Sequence, residues 1–459
     1  MTKKKTMTAE TASSSDGVTP PETLKLSLEE ALALALEMLS QGNATAALTI
    51  YAEAMTMVPE RPDVLHFHGV ALHQAGNSEA GLDLIIRSLE IKPDEAGWWN
   101  NKGNVLRGMG RLDDAIDCYR QATILAPDFA DPFNNLGVVQ RTKQNPDIAE
   151  ACFARAIELR PGFGDAYSNL GNLLVSRNRT AEGINLLLKA VTLSPQDRMS
   201  KRALAYAYGH LGDFAKARGI YTEWLADEPG NPIALHHMAA VSGDVVERAS
   251  DDYVKEVFDA FAGTFDTKLA TLDYRAPDLV NTMLLAWAGK TSRKLDIADA
   301  GCGTGLCGPG LRARASRLVG VDLSGAMLGK ARARACYDEL VEDELTAFLK
   351  NRPGAFDAIV SADTLCYFGV LSEAFKVART SLRPGGVFVF TVEALPDGKE
   401  GFVLNHNGRY VHSRSYVETE LKASDLMLTS MVREVLRNES GVEVEGFVVF
   451  AERAGTLPG

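Results

Sequence analysis

A helix needs about 18 consecutive apolar residues to cross a bilayer, and no such run occurs in the 459 residues of this chain. A membrane span is therefore not expected. Cysteine is scarce: the six present form no CxxC pair and keep no regular spacing. That pattern excludes a disulfide framework and a structural zinc site, and reads as reduced thiols of a cytoplasmic protein. No cluster of metal-ligating residues stands out, so no metal is expected. Basic residues are outnumbered, with 48 Lys and Arg against 60 Asp and Glu and a net charge of −12. Such a balance argues against a nucleic-acid partner. The stretch Met1–Glu22 has a Lys3-Lys4-Lys5 start and a Ser/Thr/Pro-rich body but no apolar core of a signal peptide. Residues 1–24 are expected to form a disordered tail.

Proline is present in a strict pattern. It falls at 59, 93, 127, 161, 195 and 229, each 34 residues after the last. Ten residues after the first four stands glycine (Gly69, Gly103, Gly137, Gly171), and after the fifth Ala205. Small residues recur at Gly81, Ala115, Ala149, Gly183 and Ala217, followed four later by the bulky Ile85, Tyr119, Phe153, Leu187 and Tyr221. Small residues let two antiparallel helices approach, bulky ones fill the seam, and proline ends the second helix. One such pair cannot bury its own apolar face, so neighbours stack into a superhelix.

A different signal follows in the second half. Leu295–Ala300 reads as a short buried strand that runs into Gly301, Gly303 and Gly305, with Leu306, Leu311 and Leu318 starting a helical spacing. The alternating glycines remove every side chain where a backbone must lie against a ligand. Gly303–Gly308 also fits GxGxxG, the dinucleotide fingerprint, so the glycines alone leave a nicotinamide-dependent dehydrogenase open. Asp299, two residues before the first glycine, and a second buried strand Leu318–Val321 ending in Asp322 narrow the choice. At a strand tip, Asp322 is able to accept both ribose hydroxyls of an adenosine, a contact worth roughly 1.5–3 kcal/mol.

These residues closely resemble the class I S-adenosylmethionine methyltransferases, whose first motif is acidic-x-Gly-x-Gly-x-Gly and whose second strand ends in an acid. Ala355–Asp363 looks like strand four of that fold and Leu382–Phe390 like its helix–turn–strand-five signature. The 34-residue period matches the tetratricopeptide repeat. Together they resemble bacterial repeat-containing predicted methyltransferases. The implied architecture is a disordered tail (1–24), a tetratricopeptide-repeat α-solenoid of about six repeats plus a capping helix (25–245), and a Rossmann-like α/β domain (250–459). That domain is expected to hold a seven-stranded sheet with an antiparallel last strand.

The resemblance implies S-adenosyl-L-methionine as cofactor, held by Asp299, Gly301, Cys302, Gly303, Gly305, Asp322 and Leu323. Met327 falls where the family sets an apolar residue against adenine. Asp343 is favoured over Glu344 as the acid facing the adenine amino group. The segment before the first strand is expected to fold over the cofactor, making Phe265, Tyr274 and Arg275 candidates to cover it or hold its carboxylate. Asp363 and Tyr367, beyond strand four, are expected to face the transferred methyl. The sequence there lacks the Asn/Asp-Pro-Pro-Tyr/Phe and Pro-Cys signatures of nucleic-acid methyltransferases. His406 and His412, in an insertion after strand five, are candidate general bases. Asn101, Asn135 and Asn169 recur 34 apart; they resemble the asparagine ladder of O-GlcNAc transferase repeats, which implies a protein or peptide partner in the groove. The alternative is that they bond neighbouring turns and bind nothing. The methyl acceptor (protein, metabolite or glycan) is left open, as is a scaffold with a regulatory cofactor site.

Overall fold

A computed structural model describes residues 6–9, 24–263, 265–270, 272–289, 293–439 and 442–455. The expected N-terminal tail lies largely outside these residues. Of it, Thr6–Ala9 pairs antiparallel with Leu24–Ser27.

The proline ladder is a helix ladder. Pairs of 13- and 14-residue helices repeat six times, from Leu28–Ser40 with Ala44–Met57 to Arg198–His210 with Phe214–Asp227. A single helix, Pro232–Ser242, follows them. Each of the six prolines falls within two residues after the second helix of a pair. The seam rule holds at atomic scale. A Cβ on Gly103 would stand 2.5 Å from the Tyr119 ring, and one on Gly137 would stand 2.6 Å from Phe153. Only glycine lets each aromatic lie flat against the facing helix.

Contacts divide the chain into two compact units. The first comprises residues 1–173 and 189–195, the second residues 174–188 and 196–459. The boundary read from the sequence, near 245, therefore differs from the packing. Tyr221, Trp224, Ile233 and Ala234 of the last helices share one core with Ala298, Val319 and Phe390 of the sheet.

Within the second unit, nine strands make one sheet. They are β1 (Leu295–Ala300), β2 (Ala315–Asp322), β3 (Glu339–Glu342), β4 (Phe356–Ser361), β5 (Leu382–Ala394), β6 (Phe402–Leu404), β7 (Tyr410–His412), β8 (Leu426–Glu439) and β9 (Val442–Arg453). The path runs β8-β9-β5-β4-β1-β2-β3. β1 to β5 are parallel along it, and β9 pairs antiparallel with both β5 and β8. Alternate residues of β5 feed opposite faces: Val387 and Val389 join one core, Phe388 and Phe390 the other. The expected seven strands with an antiparallel closing hairpin are this path. The insertion adds two more: β7 runs parallel to the end of β5, and β6 turns back along it. The strand order reverses between β1 and β4, which opens a crevice beyond their carboxyl ends. One detail differs from the sequence reading. The helix after the glycine loop is only Gly308–Arg312, and Leu318 already belongs to β2.

Candidate functional site

The crevice is built on the loop that leaves β1. Gly301, Gly303 and Gly305 all take positive φ (79°, 53° and 84°), the left-handed region that favours glycine. Gly301 and Cys302 both donate their N–H to the Val321 carbonyl at 2.9 Å, which fastens the loop to the tip of β2. Nothing lies within 4 Å of where a Cβ on Gly303 would stand, so bare backbone faces the crevice there. On Gly301 and Gly305 a Cβ would instead meet Thr364 and Tyr337.

Asp322 stands opposite. Its Oδ2 accepts the Gly303 N–H at 2.8 Å and its Oδ1 the Ser324 N–H at 2.9 Å. Burial raises its pKa above the ordinary carboxylate value, and those backbone donors oppose the rise. Gly301, Cys302, Gly303, Asp322, Leu323, Asp343 and Tyr274 of the expected cofactor set line the crevice. Asp299, Gly305 and Met327 do not. Asp299 is buried beneath the loop and accepts the Tyr337 hydroxyl at 2.6 Å, Gly305 turns the chain against Tyr337, and Met327 is buried in the core. Burial, aided by the nearby Asp322, pushes Asp299 up to about 7, against the pull of the Tyr337 hydroxyl. Glu344 also lines the crevice, but it caps the helix Leu345–Lys350 and pairs with Arg248 at 3.1 Å.

Helices Asp251–Phe261 and Phe265–Ala270 cover the crevice with Val254, Phe258, Phe265 and Leu269. Polar ties hold them to the loops below. Ser324 donates to Asp259 at 2.5 Å, Lys255 pairs with Glu342 at 2.7 Å, and Asp266 accepts from Thr304 and Arg334. Phe265 and Tyr274, expected to cover the cofactor, line the crevice. Arg275 does not: its guanidinium turns away to Glu434 at 3.6 Å and the Val435 carbonyl at 3.3 Å.

The far end of the crevice is a buried ionic cluster. Asp363 takes a left-handed φ of 55° and donates its N–H to Thr391 Oγ1 at 2.8 Å. Its carboxylate accepts from Arg409 and Arg437, each at 3.1 Å, and both arginines also bond Glu393. Burial would raise Asp363, but the two guanidiniums outweigh it and hold the acid below its ordinary value. Tyr367 and Arg409 complete the wall, with Phe258 edge-on to Tyr367 at 5.5 Å.

His406 and His412, the expected general bases, do not line the crevice. The His406 ring packs on Gly209 and beside Tyr206 of the helix Arg198–His210. His412 is fully buried, donates from Nε2 to the Gly369 carbonyl at 3.2 Å and stacks on Tyr416. Burial pushes its pKa down to about 4, so the ring is neutral and fixed. The sequence reading missed Arg409, Arg437 and Glu393; only Arg409 lies in the insertion, while Arg437 and Glu393 come from β8 and β5.

In the repeats, Asn135 donates to Asn100 at 2.9 Å and Asn169 to Asn134 at 3.0 Å, each across to the preceding repeat, while Asn101 meets His66 Nε2 at 3.0 Å. All three are half-buried.

A doubly wound sheet with a bare glycine loop, an acid at the tip of the next strand and an antiparallel closing strand is the fold of class I methyltransferase domains. Comparison with known families agrees. Residues 298–390 match the model of a methyltransferase domain, and residues 103–144, 134–198 and 168–232 match tetratricopeptide-repeat models. The chain thus joins tetratricopeptide repeats to a methyltransferase domain. The biotin biosynthesis bifunctional protein BioHC of Saccharophagus degradans is 31% identical over 128 residues, which is 27% of this chain and 22% of that protein. Human methyltransferase-like protein 27 is 36% identical over 137 residues, which is 29% of this chain and 55% of that one. The chain therefore spans only about a fifth to just over half of these relatives. A solved structure of Burkholderia thailandensis 1,6-didemethyltoxoflavin-N1-methyltransferase, with bound 1,6-didemethyltoxoflavin and S-adenosylhomocysteine, covers 46% of this chain and 93% of its own. That match has 20% identity and a TM-score of 0.37.

Proposed function

We propose that this chain transfers a methyl group from S-adenosyl-L-methionine to an acceptor, and that its helical repeats recruit a protein substrate or partner. The observation that carries the reading is the pairing of Asp322 with the Gly301–Gly305 loop across an open crevice. The donors and acceptors present suit that cofactor. Asp322 would accept its ribose hydroxyls, and the loop backbone would lie against its methionyl half, where a Cβ on Gly303 would intrude. Leu323 would flank adenine. Asp343 would accept from the adenine amino group, since Glu344 is committed to a helix cap and Arg248. When bound, the sulfonium supplies a methyl already activated for transfer.

The chain's own work is then positioning. Asp363, Tyr367 and Arg409 would orient the acceptor under the aromatic cover of Phe258, Phe265 and Tyr274. Holding two reactants in line contributes roughly 7–11 kcal/mol. His406 and His412 lie outside the crevice, whereas Asp363, Thr364, Tyr367, Arg409 and Arg248 line it and offer polar groups to an acceptor.

Calorimetry with S-adenosylhomocysteine tests the cofactor half. Stoichiometric binding is expected, and Asp322→Ala should weaken it tens-fold, equivalent to about 2 kcal/mol. Unchanged affinity would falsify the ribose assignment. The recruiting half rests on the asparagine ladder. Asn135 and Asn169 each spend one amide hydrogen between repeats, and Asn169 Oδ1 also accepts from Arg141 at 3.5 Å, so a peptide would meet the second amide hydrogens and the Asn135 oxygen. Alanine at Asn101, Asn135 and Asn169 together should abolish capture of partners by the full chain, followed as transfer of labelled methyl. Capture that survives the triple change removes the groove from the proposal. A small-molecule or glycan acceptor is the second reading, favoured by the aromatic enclosure of the acceptor end.

A further inference from the structure

The tip of the β6–β7 hairpin, Asn405–Arg409, meets two different parts of the second unit. On one side Arg409 lines the crevice and reaches Asp363 and Glu393. On the other, the tip is seated on helices that belong to the repeats. His236, buried on Pro232–Ser242, donates from Nε2 to the Gly408 carbonyl at 2.8 Å and stacks on Tyr253 at 3.9 Å. His237 Nδ1 meets the His406 carbonyl at 3.4 Å, and the His406 ring lies against Gly209. The seat leaves no slack. Gly408 has φ of 84°, and a Cβ there would stand 2.6 Å from the Tyr253 hydroxyl and 2.9 Å from His237.

The segment descending from the same helix grips the neighbouring stretch 367–370, whose Tyr367 ring lies under the Arg409 guanidinium at 5.7 Å. Gly369 and Val370 each donate to the Glu247 carbonyl at 2.8 Å, and Ala249 donates to the Tyr367 carbonyl at 2.9 Å. Arg248, between them, lines the crevice itself. Arg409 and Tyr367, which form the wall of the acceptor end, are therefore both fastened to the last repeat helices or the chain that leaves them, which is more than a tethered recruiting module requires.

We infer that the last repeat helices are a working part of the acceptor pocket, with His236 as the positioning residue that seats the hairpin tip and so delivers Arg409 to Asp363. The functional meaning rests on the methyltransferase reading above, but the coupling itself does not. It implies that the methyltransferase domain separated from these helices keeps its nucleotide end and loses the shape of its acceptor end.

Cys366 is the reporter. It is buried, and its sulfur lies 3.9 Å from the Arg409 guanidinium that covers it. In the full-length chain, methyl methanethiosulfonate labelling read by mass spectrometry should be about tenfold faster at Cys366 in His236→Ala and in Gly408→Ala. Amides 405–412 should exchange faster in the same variants. Labelling of Cys118 and Cys152, buried in the array, should be unchanged. His236→Gln keeps an N–H for the Gly408 carbonyl and should restore protection, which a general loss of packing would not allow. S-adenosylhomocysteine affinity should stay within about twofold, because Asp322 and the glycine loop are untouched. Unaltered Cys366 labelling in both variants, or a rise shared by every cysteine, overturns the inference. A wild-type chain that fails to bind S-adenosylhomocysteine sinks the cofactor reading alone, since the thiol and amide readouts do not depend on it.

Discussion

Asp299 holds a carboxyl group in the sheet interior with one donor, the Tyr337 hydroxyl, for one oxygen and none for the other. Because its folded pKa is raised to about 7 from 3.8, the native state binds a proton that the unfolded chain releases earlier. Stability from this group is therefore full below the unfolded pKa and is lost as pH rises through about 7. Asp299→Asn, which keeps an acceptor for Tyr337, should flatten the stability profile between about pH 4 and 7 by a few kcal/mol, on the order of 1.4 per unit of pKa shift. Denaturant midpoints of the two proteins across that range measure it, and parallel profiles would remove the explanation. At this scale the sequence was uneven. Asp322 was legible because its place, at the end of an apolar run after a glycine loop, is a local pattern. Arg437 was not: its partners Asp363 and Glu393 lie 74 and 44 residues away, and no periodicity announces such a pairing. The two histidines misled because a polar ring in an insertion reads as exposed, while burial depends on what packs over it.

The glycines of the loop after β1 look equivalent in the sequence and have different jobs in the fold. Gly303 faces open space, so Gly303→Ala should leave thermal stability nearly intact, about 1 kcal/mol for the positive φ. It should weaken S-adenosylhomocysteine binding about tenfold by intruding on the ligand. Gly305 faces inward, where an added Cβ would stand 2.9 Å from Tyr337 and 3.2 Å from Ala331. Gly305→Ala should therefore lower the melting temperature well below that of Gly303→Ala. Melting curves paired with calorimetry separate the two, and equal melting temperatures would contradict it. The pairing of helices in the repeats was legible because a 34-residue period averages out local ambiguity. The β6–β7 hairpin was not, since strands of three residues carry too little alternation to distinguish them from loop.

For the molecule as a whole, the packing moves the useful cut away from the end of the repeats. Trp224, Ile233, Ala234 and Val241 are buried in the core that also holds β4, β5 and β9. Each such side chain forfeits roughly 1.5–3 kcal/mol when its partners are removed. A fragment of residues 196–459 should unfold in one cooperative transition, whereas residues 250–459 should fold with a bare apolar face and bind hydrophobic dye. Circular dichroism and dye fluorescence on the two fragments decide it, and a stable, dye-silent 250–459 would show that the shared core is dispensable. Sequence periodicity marked where the repeats end but carried no information about which neighbour their last apolar face would choose.

The order of strands also dictates when this protein is able to finish folding. β9 lies between β5 and β8, so the edge of β5 stays open until residues 442–453 have been synthesised. On the ribosome, the early helix pairs close against neighbours already made, while the last ones wait for the β6–β7 hairpin, about 170 residues downstream. A nascent chain of this design needs shelter late rather than early, and a translation stop a dozen codons short of β9's end would waste nearly everything made before it.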